Sequence, residues 1–434
     1  MEKKVRDFFK IMLPLIKRRK AYNLMKEYLS KREAKDLKYF FKINALGVYY
    51  KQYSFHNYVE WPQTIVAKED SELKKFSEKI NKKIENQIVS RYYNKIAKQN
   101  PIDKIAKLIA PNIIGYDLVK KAVAAQLFSK ESIHILLLGD PGTGKTDILR
   151  STTELSPISS FGLGSGTTGA GLTVVKNPNY KKLKRKIKEK KNEKRKNEKN
   201  KNNKQETTTK DEPVEEIEPE FLLGLLPQAN NGLCCIDELN LMQTKDKAGL
   251  YSAMEKGFIT YDKGGKHKSF EAKIKVLATA NPTNDRFIGN DIKFLKTQLP
   301  FKEALLSRFH LLFIFRKASE EELIEITKKI VNNKFQKRTN DKEFVKEFVK
   351  HASMLNVSLP TELEPMVVNF IEDLKKEEKK FFMEISPRTV IGIIRLAKAF
   401  SRARLSRIVS QDDLEEAMKL MKETMRQDYK RKKK

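Results

Sequence analysis

Three observations predict an α/β fold, a mostly parallel sheet flanked by helices, with an all-helical C-terminal part and a small, mainly helical N-terminal region. The apolar run Ile135-Leu136-Leu137-Leu138, a buried-strand signal, leads directly into Gly139-Asp140-Pro141-Gly142-Thr143-Gly144-Lys145-Thr146. Helical and strand patterns then alternate from Ile102 to about residue 315. Beyond residue 316 the apolar spacing is helical throughout.

In chain order, residues 1–100 begin with Phe8, Phe9, Met12, Leu15 and Ile16 at helical spacing, while Tyr39 to Ala67 is richer in aromatic and β-branched residues and suits strands. This basic region is read as a docking or nucleic-acid-contacting segment. Ile102, Ile105 and Ile109 form a helical stripe that ends before Pro111, and a second helix runs through Val119, Val123 and Leu127. The span 101–316 is read as the α/β core. It is interrupted at 180–220 by a lysine-rich segment too poor in apolar residues to offset its ordering entropy, expected to be disordered or a lone solvated helix. From 317 to 428 a helical subdomain is expected, opened by a Ser319/Glu322 capping box, with further helices near 342–354, 362–377, 388–402 and 411–426. Leu414, Ala417, Met418, Met421 and Met425 form the packing stripe of the last helix. Residues 429–434 are a basic tail.

Composition narrows the function classes. The 434 residues carry 88 Lys and Arg against 56 Asp and Glu, a net charge of +32, which points to a polyanionic partner, nucleic acid first. Residues 181–204 alone hold fourteen Lys or Arg against three Glu, a candidate tether to nucleic acid and, in a eukaryote, a candidate nuclear address. The two cysteines, Cys234 and Cys235, are adjacent in a strand-like run, so their side chains face opposite ways and a disulfide between them is not expected. That suits a reducing compartment, cytoplasm or nucleoid (the nucleus in a eukaryote). Two cysteines and five scattered histidines give no protein-built zinc cage, and no membrane span is expected.

The chemistry concentrates in a few short stretches. Gly139 to Thr146 has the phosphate-loop spacing: backbone amides curl around the β- and γ-phosphates of ATP, Lys145 adds a positive charge, the Thr146 hydroxyl suits Mg²⁺, and the following helix points its positive end at the same anion. Leu233-Cys234-Cys235-Ile236 is an apolar strand ending in Asp237, suited to hold Mg²⁺, and Glu238, suited as general base. Ile274 to Ala280 is a strand ending at Asn281, positioned to orient a lytic water or touch the γ-phosphate. Arg308, just before the strand Leu311 to Phe315, is a candidate arginine finger, and Ser386-Pro387 opens a helix that presents Arg388 as a second phosphate-sensing arginine. Phe258 to Asp262 and Ser269 to Ala272 read as a hairpin flanking the basic tip Lys263 to Lys268.

These blocks together resemble the minichromosome maintenance (MCM) family of AAA+ helicases, from about residue 101 to 428 apart from the lysine-rich insertion. Lys107 to Gly115, which includes Ile114, looks like the family's lead-in to the nucleotide. Gly139 to Thr146 is similar to its Walker A, Cys234 to Glu238 to its Walker B, Ala280-Asn281-Pro282 to its sensor 1, and Leu306-Ser307-Arg308-Phe309 to its arginine finger. Arg388 falls on its sensor 2 arginine, Ser165 to Thr173 on the approach to its helix-2 insert, and Met254 to Ala272 on its pre-sensor-1 hairpin, where Lys263, Lys266 and Lys268 become DNA-contacting candidates. The resemblance implies a ring, commonly a hexamer of like or unlike subunits, that binds ATP and Mg²⁺ between subunits and moves along or unwinds single- or double-stranded DNA in its pore. Lys145, Thr146, Asp237, Glu238 and Asn281 would act in cis, Arg308 and Arg388 on the neighbour's nucleotide. It implies a reduced member, because the family's zinc cysteines are absent and roughly one hundred residues precede the motor. His310 and Lys247 stand where the family usually has Asp and Arg. Other readings are an accessory AAA+ regulator or loader of another ring, and a protein-remodelling helix-2-insert ATPase.

Overall fold

The computed structural model describes residues 29–42, 46–49, 64–67, 75, 78–79, 93–177, 220–263, 266–289, 291–332 and 339–427. The expected N-terminal helix at Phe8 to Ile16, nearly all of the insertion at 180–220 and the basic tail at 429–434 lie outside them. Within Tyr39 to Ala67, the strand expectation holds: β1 (Leu46–Tyr49) pairs antiparallel with β2 (Thr64–Ala67).

The centre is a five-stranded parallel sheet. Its strands are β3 (Ile135–Gly139), β4 (Ser159–Leu163), β7 (Leu233–Asp237), β10 (Lys275–Ala280) and β11 (Leu311–Phe315), in spatial order β11-β3-β10-β7-β4. Between β4 and β7 lies the small antiparallel pair β5 (Val174–Lys176) and β6 (Phe221–Leu223), and between β7 and β10 the hairpin β8 (Phe258–Lys263) and β9 (Lys266–Glu271). Both faces of the sheet are covered, which is why its strands read as continuous apolar runs rather than alternating ones. Adjacent residues of one strand enter different cores: Leu137 and Cys235 pack on one face, Leu138 and Cys234 on the other. The two cysteines are thus free, buried and on opposite faces, as the strand period requires.

The first face is covered by α1 (Asp117–Phe128), α2 (Lys145–Leu155) and the C-terminal helices, the second by α3 (Lys247–Lys256) and the segments around it. Ile102, Ile105, Ile109, Val119, Val123 and Leu127 are buried in the first core. After β11 the chain is helical: α4 (Glu320–Asn332), α5 (Thr339–Ser353), α6 (Glu364–Lys376), α7 (Pro387–Ala403) and α8 (Gln411–Arg426). The Ser319 hydroxyl accepts the Glu322 amide while the Glu322 carboxylate accepts the Ser319 amide, closing the expected capping box. Leu414, Ala417, Met418, Met421 and Met425 are buried, as expected of a packing stripe.

This helical part is tied to the α/β core at the end of α1, where a buried arginine reaches across and a buried lysine of β10 joins it. Arg402, 1% exposed, donates from Nε to Leu355 O (3.1 Å) and from Nη1 to Phe128 O (3.0 Å). Lys275 donates to Leu127 O (3.0 Å) and Ser129 O (3.1 Å). Two cations therefore cap the negative end of α1, where unpaired carbonyls and the helix dipole favour positive charge. None of the described helices is long and apolar enough to cross a membrane.

Candidate nucleotide site

β3 is fully buried and ends at Gly139, and the chain turns through Asp140 to Gly144 before α2 begins. Gly142 (φ 74°) and Gly144 (φ 86°) take left-handed backbone, and a Cβ on Gly144 would come within 2.7 Å of Ile113 Cδ1, so side chains are excluded there on two grounds. The Thr143 hydroxyl donates to Asp140 O (2.8 Å), closing the loop. Lys145 Nζ donates to Gly139 O (2.8 Å) and Asp140 O (2.7 Å). Burial pushes its ammonium down to about 8, against the pull of Asp140, Asp237 and Glu238.

Because β10 lies between β3 and β7, the C-terminal ends of three strands converge at the loop. Asp237, buried at the end of β7, accepts the Thr146 hydroxyl at Oδ1 (3.1 Å). Glu238 follows in left-handed backbone (φ 52°), and Asn281, just past β10, donates its amide to Asn240 Oδ1 (3.1 Å). The expected loop, the paired acids and the terminal asparagine are thus brought together. Ile114 is half-buried in the turn before α1, a turn held by Lys120 Nζ on Ala110 O (3.0 Å) and Ile113 O (2.5 Å). It is the adjacent Ile113 whose side chain meets the loop.

The donor set fits a hard cation held partly by substrate. A hydroxyl and a carboxylate 3.1 Å apart face the loop, and no group of three or more His, Cys, Asp or Glu that could cage a metal exists among the described residues. Mg²⁺ characteristically takes one or two protein oxygens and completes its shell with phosphate and water.

The two arginines lie elsewhere. β11 runs parallel to β3 with Leu311 beside Ile135 and Phe315 beside Gly139, so Arg308 sits at the N-terminal edge of the sheet, about 16 Å of strand from the loop. Its Nη2 donates to Glu255 (2.6 Å), its guanidinium lies 5.1 Å from the Tyr251 ring centroid, and its buried Nε has no hydrogen-bond partner among the described residues. Arg388, in the first turn of α7 after the Ser386 cap, donates to Ser307 O (2.7 Å) and so stands beside Arg308. Beneath them is a neutral histidine pair: the His134 amide donates to His310 Nδ1 (3.1 Å), and the Val276 amide to His134 Nδ1 (3.1 Å). Burial holds His134 at about 3 and His310 at about 2.

The hairpin needs one correction. Pairing extends to Lys263 opposite Lys266, so Lys266 and Lys268 belong to β9 rather than to a loop, and only Gly264 and Gly265 lie between the paired strands. Lys268 packs its ammonium over the rings of Phe221 (4.8 Å) and Phe270 (5.5 Å).

Sequence reading placed Asp140 in the phosphate loop without foreseeing what its carboxylate holds, and it missed Thr279. The Asp140 carboxylate accepts the amides of Phe287 (2.9 Å) and Lys317 (3.0 Å), and Thr279 bonds both Asp237 and Glu238. A hydroxyl in the otherwise apolar stretch Val276 to Ala280 was the one signal for Thr279; for Asp140 there was none, because its partners are backbone amides far along the chain.

A parallel sheet of this order, a phosphate loop, a strand-end acid pair and a C-terminal helical lid define an AAA+ P-loop protein. Residues 90–188 and 196–334 match the MCM P-loop domain and residues 343–425 the MCM AAA-lid domain, and the chain belongs to the MCM family. It is 28% identical over 348 residues to the DNA replication licensing factor mcm7 of Schizosaccharomyces pombe, covering 74% of this chain and 41% of that protein. It is 32% identical over 239 residues to the DNA replication licensing factor MCM3 of Entamoeba histolytica, covering 52% and 33%. With MCM4 of Drosophila melanogaster it shares 27% identity over 351 residues, covering 75% and 36%. The chain spans a third to two fifths of the length of these curated relatives.

Proposed function

We propose that this chain is a subunit of an MCM-type ring motor that hydrolyses ATP at sites shared between neighbouring subunits and uses the cycle to translocate on or unwind DNA. The observation that carries this reading is the separation of parts: the phosphate loop, Asp237, Glu238 and Asn281 occupy one edge of the sheet, Arg308 and Arg388 the other. A chain so built cannot bring its own arginines to its own nucleotide without breaking the sheet, whereas a second copy stacked edge to edge can.

In this reading the loop amides, the N-terminus of α2 and Lys145 hold the triphosphate. Thr146 and Asp237 would hold Mg²⁺, which when bound neutralises charge on the phosphate oxygens. Glu238 polarises the attacking water as general base and Asn281 orients it. Arg308 and Arg388 of the adjacent copy offset charge that develops in the transition state. The division into a 101–316 motor and a 317–428 lid is part of the same reading.

DNA is the proposed polyanion. The net charge of +32 and the lysines of the β8–β9 hairpin, Lys263, Lys266 and Lys268, support it, as do relatives named as DNA replication licensing factors. The relatives, named as distinct MCM factors, support assembly into a ring of like or unlike subunits, a hexamer in our reading, and work at chromosomal DNA, in the nucleus for a eukaryotic host. Steady-state ATP hydrolysis with and without single-stranded DNA tests the proposal. Turnover stimulated by the strand and abolished by Lys145→Ala supports it; turnover indifferent to any DNA at low salt contradicts it.

A further inference from the structure

The side chain of Thr279 is the one polar group that β10 sends between the two acids of the site. It is 1% exposed. Its hydroxyl lies 2.5 Å from Asp237 Oδ1 and 2.9 Å from the Glu238 amide nitrogen. A hydroxyl has one proton to give, and an amide can only donate. The directions are therefore fixed: Thr279 donates to the carboxylate and accepts from the amide. The Thr146 hydroxyl meets the same oxygen, Oδ1, at 3.1 Å, so the rotation of the Asp237 carboxylate is set by two threonines, one in the first turn of α2 and one near the end of β10. On the acceptor side, the bond fixes the amide of Glu238, whose left-handed backbone (φ 52°, ψ 47°) is not one an L-residue takes freely. From the other flank, the Gly164 amide donates to Asp237 O at 2.7 Å. The Asp237-Glu238 corner is thus gripped by a backbone bond from the β4 side and a side-chain bond from β10.

We propose that Thr279 is a positioning residue that orients Asp237 toward the nucleotide's Mg²⁺ and Glu238 toward the attacking water, so that a single buried hydroxyl governs both the metal-holding and the water-polarising acid. The inference rests on the functional reading above. Groups that orient a metal-holding carboxylate without touching the metal commonly contribute about 10- to 100-fold in affinity or activity.

The test compares Thr279→Val, which keeps the shape and removes the hydroxyl, with Thr279→Ser, which keeps the hydroxyl. ATP binding is measured by titration calorimetry in Mg²⁺ and in EDTA, and kcat and KM are measured across a Mg²⁺ series. The expected result for Thr279→Val is ATP affinity in EDTA within about twofold of the wild type, a loss of about 10- to 100-fold in the gain that Mg²⁺ confers, and a comparable fall in kcat, with Thr279→Ser close to wild type in all three. Thermal melts of both variants report folding, and Thr279→Ala stands in if the valine does not fold. The proposal is overturned if the hydroxyl-free variants keep the wild-type Mg²⁺ response. It is also overturned if Thr279→Ser falls as far as they do, or if they lose ATP affinity equally in EDTA, the mark of a packing role. A wild type that hydrolyses no more ATP than Lys145→Ala would instead sink the functional reading, and the Mg²⁺-dependent binding comparison would still decide the role of Thr279.

Discussion

Asp140 Oδ2 accepts the backbone amide of Lys317 at 3.0 Å, which ties an acid inside the phosphate loop to the first residues beyond β11, where the chain leaves the sheet for the helical lid. Its other oxygen accepts the Phe287 amide at 2.9 Å, in the segment after Asn281. One buried carboxylate therefore holds the loop, the segment beyond β10 and the approach to the lid in one arrangement.

Asp140→Asn should disturb that arrangement while leaving loop length and glycines intact. The amide retains one acceptor oxygen and presents an N–H to a second N–H donor, so one buried amide loses its partner. The expected cost is about 1–3 kcal/mol, read as a lower denaturation midpoint. An unchanged midpoint would show that the two bonds carry no weight.

Lys145 should make ATP binding sensitive to mildly alkaline pH. Its ammonium sits at about 8 because burial disfavours the charge. Below that value the loop offers a full positive charge; as pH rises through it, the nucleotide-free chain loses the proton and affinity for ATP should fall, with proton uptake on binding near pH 8. The stability term has the opposite sign. The folded value lies below the ordinary 10.5, so between about 8 and 10.5 the unfolded chain holds more protons and this group makes the fold more stable as pH rises. Calorimetric titrations in buffers of different ionisation enthalpy measure the uptake.

Acid should destabilise the fold through the histidine pair. Both folded values lie below the usual 6.5, so the unfolded chain takes protons that the native chain refuses, and stability is lost as pH falls below 6.5. At about pH 5 the expected loss is about 2 kcal/mol per histidine. Denaturant midpoints at neutral pH and at that acid pH test this, and His310→Asn should flatten the difference.

The hairpin lysines should act as phosphate contacts. Lys263→Ala, Lys266→Ala and Lys268→Ala should each weaken DNA binding similarly for all sequences and reduce the salt slope by about one for each lysine replaced. Lys268, whose ammonium already lies on Phe221 and Phe270, should show the smallest effect. Fluorescence anisotropy across a salt series measures both quantities.

Much of this site was legible in the sequence because its parts are local. The phosphate loop, the Asp237-Glu238 pair and Asn281 each follow an apolar strand directly, and parallel strands deliver their C-terminal ends to one edge. The lid helices were legible from apolar period and caps, Ser319 with Glu322 and Ser386 with Pro387. What escaped was proximity between residues far apart in the chain. Nothing near Asp140 announces Phe287 or Lys317, and Thr279 takes its role only because β10 inserts between β3 and β7. The hairpin is tighter than its sequence suggests, because its lysines resemble a solvated loop while the strand register carries pairing to Lys263 and Lys266.

The central claim, a nucleotide site completed by the adjacent copy, is tested most directly by mixing two inactive variants. Lys145→Ala removes the phosphate-holding charge from one edge, and Arg308→Ala removes the guanidinium from the other, a loss expected to cost about 10³ to 10⁵ in turnover. Each alone should be nearly inactive, and the mixture should regain a clear fraction of wild-type ATP hydrolysis at interfaces that pair an intact loop with an intact arginine. A mixture no more active than its components, or an Arg308→Ala chain that is monomeric and hydrolyses ATP at the wild-type rate, would contradict the account.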